Sequence, residues 1–383
     1  MPRGTIRKVC PKCQGTNTKR HSILVLKKVT LQGIQARGVQ RWYCKDCKKA
    51  FTPPHADSGT VTHTLEVQER AAMLYFDQGA SYRAVARELQ RLGIRIDGKR
   101  CWNLVQRLAA NSKAPWEVSV ELKPQWSGRI AVDGDYVAIG AKREAMLLGV
   151  DLEALDIPHT ILAEEEDGEN WLFYFLVLKY VVGYPFRGVV SDGDPGIELA
   201  VRLVCPGIPH QLCVKHFQDG LHRYLRYDFD YRYGNEKEIE RFEKRVRGCL
   251  YASTLRLAEE RLTAIRSDLP FKRVGLLNGP VMILEQNWNR LTQHFHHPGL
   301  MRTSNAAEGV IRKLDRRIDA MDSFTAHETA WNILKMLVLH TRFRVLTDCR
   351  GPNKHRNGFS PLQLAGVDTR PMNWIRFSQK TTA

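Results

Sequence analysis

Residues 129–164 read RIAVDGDYVAIGAKREAMLLGVDLEALDIPHTILAE and contain three successive strand patterns. Each pattern is an apolar run rich in Val, Ile, Leu and Ala, bounded by charged or turn-forming residues. Downstream, helical patterns alternate with two more short apolar runs. Three consecutive strands followed by alternating helices and strands predict an α/β fold with an antiparallel meander. The predicted elements are strands 129–139, 145–153 and 158–164, helix 169–183, strand 187–191, helix 194–204 and strand 209–213.

Two aspartates occupy related places on this predicted sheet. Asp133 lies near the middle of the first strand, and Asp192 comes at the end of the fourth strand. The order of elements is that of ribonuclease-H-like (RNase H-like) folds, in which the first and fourth strands are neighbours. We therefore expect the two carboxylates to lie close together.

A third acidic residue opens a late helix. Residues 302–309 read RTSNAAEG, and Glu308 would project from the first turn of the helix that follows. Two aspartates and one glutamate from three elements would supply hard oxygen ligands for two Mg²⁺ or Mn²⁺ ions. One ion of such a pair activates an attacking oxygen and the other stabilises the leaving oxygen. Basic residues of the same helix could hold phosphates beside the site: Arg312, Lys313, Arg316 and Arg317.

Each acid also has a purely structural interpretation. Asp135 points to the same side of the strand as Asp133, so either residue could be the ligand. Asp194 competes with Asp192 in the same way, because the sequence DGD could be a turn followed by a helix N-cap. The glutamate comes three residues after Asn305, which is the spacing of a capping box. The residues alone leave these alternatives open.

Four of the nine cysteines form two CxxC pairs. The pairs are separated by 30 residues that include strand-like sequence, which predicts two knuckles around one tetrahedral Zn²⁺. Four thiolates leave no open coordination position, so the ion would be structural. The alternative is two buried or redox-active pairs. The predicted zinc ligands are Cys10, Cys13, Cys44 and Cys47, and the lysines expected to face phosphates around the second knuckle are Lys45, Lys48 and Lys49.

Three short helical patterns follow the cysteine segment. Gly79 and Gly93 end the first two patterns, and Ser81 and Asp97 are candidate N-caps of the second and third. A helix, a glycine-containing turn and a basic helix fit a helix-turn-helix that places its last helix in the major groove. The alternative is a three-helix bundle with a solvated basic face. The residues predicted to contact DNA are Lys99, Arg100, Asn103 and Arg107.

The net charge of +17 is distributed unevenly along the 383 residues. Residues 1–110 contain 21 Lys and Arg against 7 Asp and Glu, whereas residues 128–216 contain 7 against 14. The basic segment indicates a polyanionic partner, and the acidic segment needs divalent cations before it can approach phosphate. The N-terminal residues do not read as a signal peptide, and the most apolar run, 171–178, is too short to span a membrane. We therefore expect a cytoplasmic, nucleoid-associated protein with no membrane partner, whose cysteines bind metal instead of forming disulfides.

Four motifs in this order resemble those of a known enzyme family. They are VDG at 132–134, VSDG at 190–193, CVKH at 213–216 and TSNAAE at 303–308. Together they resemble the DDE transposases of the Mutator-like group over roughly residues 125–345. Residues 42–52, WYCKDCKKAFT, resemble the N-terminal zinc ribbons of bacterial insertion-sequence transposases.

The resemblance implies an enzyme that cleaves and joins DNA strands with the help of Mg²⁺ or Mn²⁺. Asp133, Asp192 and Glu308 would be the catalytic metal ligands, and an all-helical insertion would lie between the last two. Cys213 and His216 would form an accessory motif near the site. The implied partners are double-stranded DNA, as element ends and as target, and further copies of the chain in a homo-oligomeric synaptic complex.

The predicted domain organisation has four parts. A zinc ribbon (1–54) and a helix-turn-helix (60–112) precede an RNase H-like domain (125–345) with a helical insertion at about 217–300, and a basic tail (346–383) ends the chain. Two other functions are consistent with this organisation. One is a transposase-derived DNA-binding regulator without catalysis, and the other is an RNase H-like nuclease that does not need terminal repeats.

Overall fold

The computed structural model describes residues 8–52, 61–229, 236–268, 278–321 and 324–380. The chain divides into two compact units, Met1–Asn111 and Ser112–Ala383. The predicted zinc-ribbon and helix-turn-helix segments both belong to the first unit. None of the helices in the described ranges combines the length and the apolar character needed to cross a bilayer.

The first unit joins a small sheet to three helices. Strands β1 (Thr18–Thr30) and β2 (Gly33–Cys44) form an antiparallel hairpin. Strand β3 (Ala50–Phe51) pairs with β2 and strand β4 (Val61–His63) pairs with β1, so that the order is β3-β2-β1-β4. The helices that follow are α1 (Leu65–Phe76), α2 (Tyr82–Arg91) and α3 (Gly98–Ala110).

The helix signals in the sequence of this unit are confirmed. Ser81 Oγ accepts a hydrogen bond from the backbone N of Ala84 at 3.3 Å, and Asp97 Oδ1 accepts one from the N of Arg100 at 2.7 Å. Gly79, with φ 72°, follows α1 and allows the left-handed turn that leads into α2. Local sequence therefore determines where these three helices begin and end.

The second unit begins with α4 (Pro115–Leu122) and contains a five-stranded sheet. Its strands are β5 (Arg129–Ile139), β6 (Lys142–Asp151), β7 (Thr160–Ala163), β8 (Gly188–Ser191) and β9 (His210–Leu212). The order is β7-β6-β5-β8-β9, with β5, β6 and β7 antiparallel and β8 and β9 parallel to β5. The unit is therefore a mixed α/β structure, and the expected adjacency of the first and fourth strands is confirmed.

Helices pack on this sheet on the side of the even-numbered residues of β5. They are α5 (Gly168–Leu176), which continues as a π-helical turn (Val177–Val181), and α6 (Pro195–Val204). Ile130 and Val132 are buried there in one cluster with Trp171 and Tyr174. Because side chains alternate along a strand, the odd-numbered residues, Asp133 among them, face the opposite side.

The described residues between β9 and residue 305 form helices and loops without strands. They are α7 (Val214–Arg223), a π-helical segment (Tyr224–Phe229), α8 (Glu236–Leu250), α9 (Leu255–Arg266), α10 (Asn278–Gln286), α11 (Trp288–Leu291) and α12 (Gln293–His296). Phe242, Leu262 and Leu284 contribute to a separate buried cluster, and Trp288 packs against it. These helices lie in the segment for which the resemblance implied a helical insertion.

The C-terminal residues correct one prediction. After α13 (Asn305–Ile318) and α14 (His327–Phe343), the chain forms α15 (Pro361–Leu364) and α16 (Trp374–Ser378), which both pack on α14. Leu362 and Ile375 are fully buried. The segment from 346 is therefore part of the folded unit and not a basic tail, because its apolar residues are spaced to bury one side of each short helix.

His159 is a buried histidine in the second unit. The residue is 2% exposed, and its ring stacks on Tyr174 with 5.2 Å between centroids. Neither ring nitrogen has a hydrogen-bond partner among the described residues. Burial lowers the pKa of His159 from 6.5 to about 3, so the folded protein keeps the ring neutral where the unfolded chain would protonate it.

Replacing His159 with Leu, which is similar in size, is expected to raise the free energy of unfolding at pH 7 by about 1–3 kcal/mol, because two unpaired polar atoms leave the core. Between pH 6.5 and pH 3 the unfolded wild-type chain binds the extra proton, which costs the fold about 1.4 kcal/mol per pH unit. The variant should lose this part of the acid sensitivity. Urea unfolding at several pH values measures both effects, and identical pH slopes in the two proteins would contradict the prediction.

Candidate active site

Asp133 lies in the middle of β5, just beyond the residues that pair with β8. β8 pairs with residues 129–131 of β5, and the chain leaves the sheet after Ser191. Burial and the negative charge of Asp192 raise the pKa of Asp133 to about 7, with smaller contributions from Glu166 and Glu308. Asp133 therefore lies within electrostatic range of Asp192 and Glu308, the other two acids predicted from the sequence.

Asp192 is the exposed residue that directly follows β8. Its Oδ1 accepts a hydrogen bond from the backbone N of Asp194 at 3.0 Å, and Gly193 between them has φ 96°. Asp194 instead caps α6, because its Oδ1 accepts bonds from the N of Gly196 at 2.7 Å and of Ile197 at 3.2 Å. The structure thus gives the two aspartates different surroundings, with Asp194 engaged by its own helix.

Glu308 lies in the first turn of α13 and faces three cationic side chains. Lys215 Nζ is 2.5 Å from its Oε2, Arg312 Nη2 is 3.7 Å from the same oxygen, and His216 Nε2 is 3.8 Å from Oε1. The N-cap of α13 is Ser304, which makes no side-chain capping bond, so the capping-box interpretation is wrong. The Oε1 atom is buried and has no hydrogen-bond partner among the described residues, which fits a carboxylate that binds a metal ion.

Asp135 has a different neighbour from Asp133. Burial and a hydrogen bond with Asp135 raise the pKa of Asp315 to about 7. Asp315 is seven residues after Glu308 on the same helix, which is about 10 Å along the axis. Asp135 therefore faces the C-terminal half of α13, whereas Asp133 faces its first turn.

The accessory motif contacts the proposed glutamate ligand. One ligand atom each from Cys213, His216 and Glu308 lie within 4.8 Å of one another. Ser304 donates to Cys213 Sγ from its backbone N at 3.4 Å and from Oγ at 3.3 Å. The hydrogen bond with Cys213 raises the pKa of His216 to about 9, against the effect of burial, so the imidazole is a cation at neutral pH.

Glu166, which is not among the residues predicted from the sequence, is a fourth carboxylate near the site. It precedes α5, and its Oε1 accepts a hydrogen bond from Trp171 Nε1 at 3.2 Å. A Cβ at Gly134 would lie 2.4 Å from that oxygen, so only glycine leaves room for the carboxylate against β5. Burial raises the pKa of Glu166, and Asp192 adds to the shift. The acidic run EEED at 164–167 was the available signal, but only the fold shows which of these residues faces the site.

The four predicted zinc ligands form one cluster in the first unit. Their sulfur atoms all lie within 4.8 Å of one another, with 3.7 Å between Cys10 and Cys47 and 3.6 Å between Cys13 and Cys44. Zn–S bonds of about 2.3 Å in a tetrahedron require S–S distances of about 3.8 Å. Gln14 and Lys48, which follow the two pairs, both have left-handed backbones, with φ 59° and 55°. Two knuckles of the same geometry can therefore hold one Zn²⁺ ion.

Purified protein is expected to contain about one zinc per chain, and Cys44→Ser is expected to lose it, because three thiolates bind the ion more weakly than four. Metal analysis by mass spectrometry measures the content. Cys349→Ser is the control, since Cys349 lies outside the cluster. Zinc that survives Cys44→Ser in full would instead place the ion on Cys213, His216 and Glu308.

The residues predicted to contact DNA are exposed in the structure. On α3 they share one outward face, while Cys101, Leu104 and Leu108 of the same helix are buried. Lys313 on α13 also pairs with Asp348, with 2.9 Å between Nζ and Oδ1. The exposed set is Lys45, Lys48, Lys49, Lys99, Arg100, Asn103, Arg107, Arg312, Lys313 and Arg316.

Comparison with protein-family models and with curated proteins finds no match for this chain. Among solved structures, the HTLV-2 integrase catalytic core domain in complex with magnesium (dimeric form) is similar at 16% identity and a TM-score of 0.20 over 27% of this chain and 73% of that one. The simian T-cell lymphotropic virus intasome in complex with the PP2A regulatory subunit B56 gamma is similar at 11% identity and a TM-score of 0.27. This match covers 82% of this chain and 78% of that chain. At these TM-scores the likenesses are remote, and the geometry of the site carries the functional assignment.

Proposed function

We propose that this chain is a DDE transposase of the Mutator-like type, with an RNase H-like catalytic domain, that cleaves and joins DNA strands of an insertion sequence. The observation that carries the proposal is that the charges of Asp192 and Glu308 both act on Asp133. These residues come from β5, from the end of β8 and from α13, which are far apart in sequence. A structural role would not require two other acids to lie within range of Asp133, because like charges brought together destabilise a fold.

The same three residues would hold two Mg²⁺ or Mn²⁺ ions. Carboxylate oxygens are the ligands that these hard cations prefer, and the buried Oε1 of Glu308, which accepts no hydrogen bond from the described residues, suits a metal contact. When bound, the ions would activate an attacking oxygen and stabilise a leaving oxygen. Around them, Lys215, His216 and Arg312 supply positive charge that limits the repulsion between the acids and the DNA phosphates.

The first unit would deliver the DNA. We propose that it is a zinc ribbon followed by a helix-turn-helix, which bind the terminal inverted repeats of the element. The exposed cations around the second knuckle and along α3 match the phosphate and base contacts of such a module. Binding should therefore weaken steeply with salt, because each phosphate contact releases counterions. Two or more copies of the chain would bring the element ends together.

A plasmid assay with the purified full-length protein tests this function. One plasmid carries the DNA that flanks the gene, including any inverted repeats, and a matched plasmid carries the same flanks in scrambled order. We expect nicking or cleavage of the first plasmid at the repeat ends, with Mg²⁺ or Mn²⁺ and not without a divalent ion.

The other results distinguish the alternative functions. Equal cleavage of both plasmids would indicate a nuclease that does not need terminal repeats. Specific binding of the native flanks without cleavage under either metal would indicate a DNA-binding regulator. Both results would contradict the transposase proposal.

A further inference from the structure

A lysine of the accessory motif contacts the proposed glutamate ligand directly. Lys215 Nζ lies 2.5 Å from Oε2 of Glu308. The glutamate side chain is 12% exposed, whereas the lysine side chain is 43% exposed. The lysine is therefore the solvent-exposed partner of this ion pair. An anion from solution can reach its ammonium group without displacing the glutamate.

The backbone next to Lys215 is fixed relative to the start of α13. Val214 N donates a hydrogen bond to the carbonyl of Arg302 at 2.9 Å. Ser304 donates to Cys213 Sγ from both its backbone N and its hydroxyl. These cross-links join the first residues of α7 to the residues that precede α13. The part of Lys215 that can move is then its four-carbon stem, which carries a compact, strongly hydrated charge.

The position of Lys215 is unfavourable with respect to the dipole of its own helix. It is the second residue of α7, where a cation opposes the helix dipole. The first turn of α7 contains no acidic residue, and the acid of this helix that acts on Lys215 is Asp219, one turn further along. The positive charge is better explained by Glu308, the carboxylate with which the ammonium forms an ion pair.

We propose that Lys215 is a catalytic cation shared between Glu308 and a phosphate of the DNA strand that is cut. The inference rests on the proposed function and identifies a further residue of that site. A phosphodiester that approaches three carboxylates meets charge of its own sign, and a flexible ammonium at their edge offsets it. A divalent ion that binds Oε2 of Glu308 competes with Nζ for that atom. The displaced ammonium stays within reach of the phosphate.

This sharing predicts opposite effects on metal binding and on catalysis. In Lys215→Met an apolar, unbranched side chain replaces the lysine and the charge is lost. We expect the DNA-free, full-length variant to bind Mn²⁺ about fivefold more tightly, because a competing ion pair is gone. We expect its plasmid cleavage at saturating Mn²⁺ to be about 10²-fold slower, which is typical for loss of one group that stabilises developing charge. Lys215→Arg keeps the charge and should cleave faster than Lys215→Met.

Manganese titration followed by electron paramagnetic resonance, together with the plasmid assay, measures both quantities. Lys244→Met on α8 is the matched control, because it removes one exposed lysine charge far along the chain and should change neither quantity. Weaker Mn²⁺ binding in Lys215→Met would mean that the lysine only supports the local structure, and unchanged cleavage would exclude a phosphate contact. Either result overturns the proposal. If the wild-type protein does not cleave DNA at all, the proposed function itself fails, and the phosphate role of Lys215 fails with it.

Discussion

Asp133→Asn is expected to reduce metal-dependent DNA cleavage at least about 10³-fold, whereas Asp135→Asn should leave the rate within about threefold. A bound divalent ion stabilises the transition state by several kcal/mol, and each 1.36 kcal/mol corresponds to a factor of ten. An amide has nearly the shape of the carboxylate but lacks its charge, so the fold is retained while metal binding is lost. The two residues lie on the same side of β5, which makes Asp135 a matched control for Asp133.

The structural reason for the difference lies in α13. Asp133 is influenced by Asp192 and Glu308, whereas Asp135 is hydrogen-bonded to Asp315 near the other end of that helix. A site built on Asp135 would therefore lack the other two predicted ligands. If Asp135→Asn abolished cleavage and Asp133→Asn did not, the site would lie at the Asp135–Asp315 pair and the assignment would be wrong.

A second matched pair tests the other open alternative. Asp192→Asn is expected to lose activity as Asp133→Asn does. Asp194→Asn should not, because asparagine is as good an N-cap as aspartate and α6 keeps its start. Cleavage rates at saturating Mg²⁺ and Mn²⁺ measure both variants, with circular dichroism as the check on folding. Equal losses in the two variants would leave the ligand unassigned between them and contradict the distinction drawn from the structure.

Arg342→Met is expected to lower the free energy of unfolding of the second unit by about 3–5 kcal/mol, the largest stability effect that we foresee. The side chains of Arg342 and Asp156 are both 0% exposed. Arg342 donates from Nε and Nη2 to the two carboxylate oxygens at 2.8 and 2.9 Å, and from Nη1 to the carbonyl of Pro115 at 2.8 Å. Removal of the guanidinium leaves Asp156 buried, with Trp126 Nε1 at 2.9 Å as its remaining side-chain donor among the described residues.

Arg370 offers an exposed control of the same geometry. Its Nε and Nη2 donate to Oδ1 and Oδ2 of Asp368 at 2.8 and 3.0 Å, but its side chain is 80% exposed. Arg370→Met should therefore cost less than about 1 kcal/mol, because water replaces the lost partner. Urea unfolding followed by tryptophan fluorescence measures both variants. Equal costs would mean that burial of Arg342 contributes nothing, and the explanation by an unpaired buried charge would be wrong.

The double variant Arg342→Met/Asp156→Leu separates the two possible causes. If the cost of Arg342→Met comes from the unpaired carboxylate, removal of that carboxylate should restore part of the lost stability. If the cost comes from lost packing of the long side chain on α14, the second substitution should make the protein less stable still. The sign of the change from single to double variant decides between them.

Much of the fold was predictable because its signals are local. The strand runs in 129–164, the N-caps Ser81 and Asp97 and the spacing within each CxxC pair depend on neighbours within a few residues. The structure places strands and helices where these patterns predict them. The basic-tail prediction failed because net charge describes the surface of a segment, while the few apolar residues that bury it decide whether it packs.

The sequence by itself determined the order of elements, because strand and helix periodicity depends on neighbouring residues. It also indicated the three acids that the proposed site would need, because the order of the motifs can be read from the sequence. Only the tertiary structure shows that Asp133 and Asp135 have different neighbours, because Asp135 interacts with Asp315, 180 positions away. It also shows that Asp194 caps its own helix, whereas Asp192 does not. The same holds for Glu166, which lies in the acidic run 164–167, and for Lys215, which lies between Cys213 and His216, because neither pattern shows which side chain contacts the site. Glu166 lies against Gly134, and Lys215 pairs with Glu308, only because the fold brings distant segments of the chain together. The electrostatic interaction between two charged groups depends on their distance in space and not on their separation in the sequence.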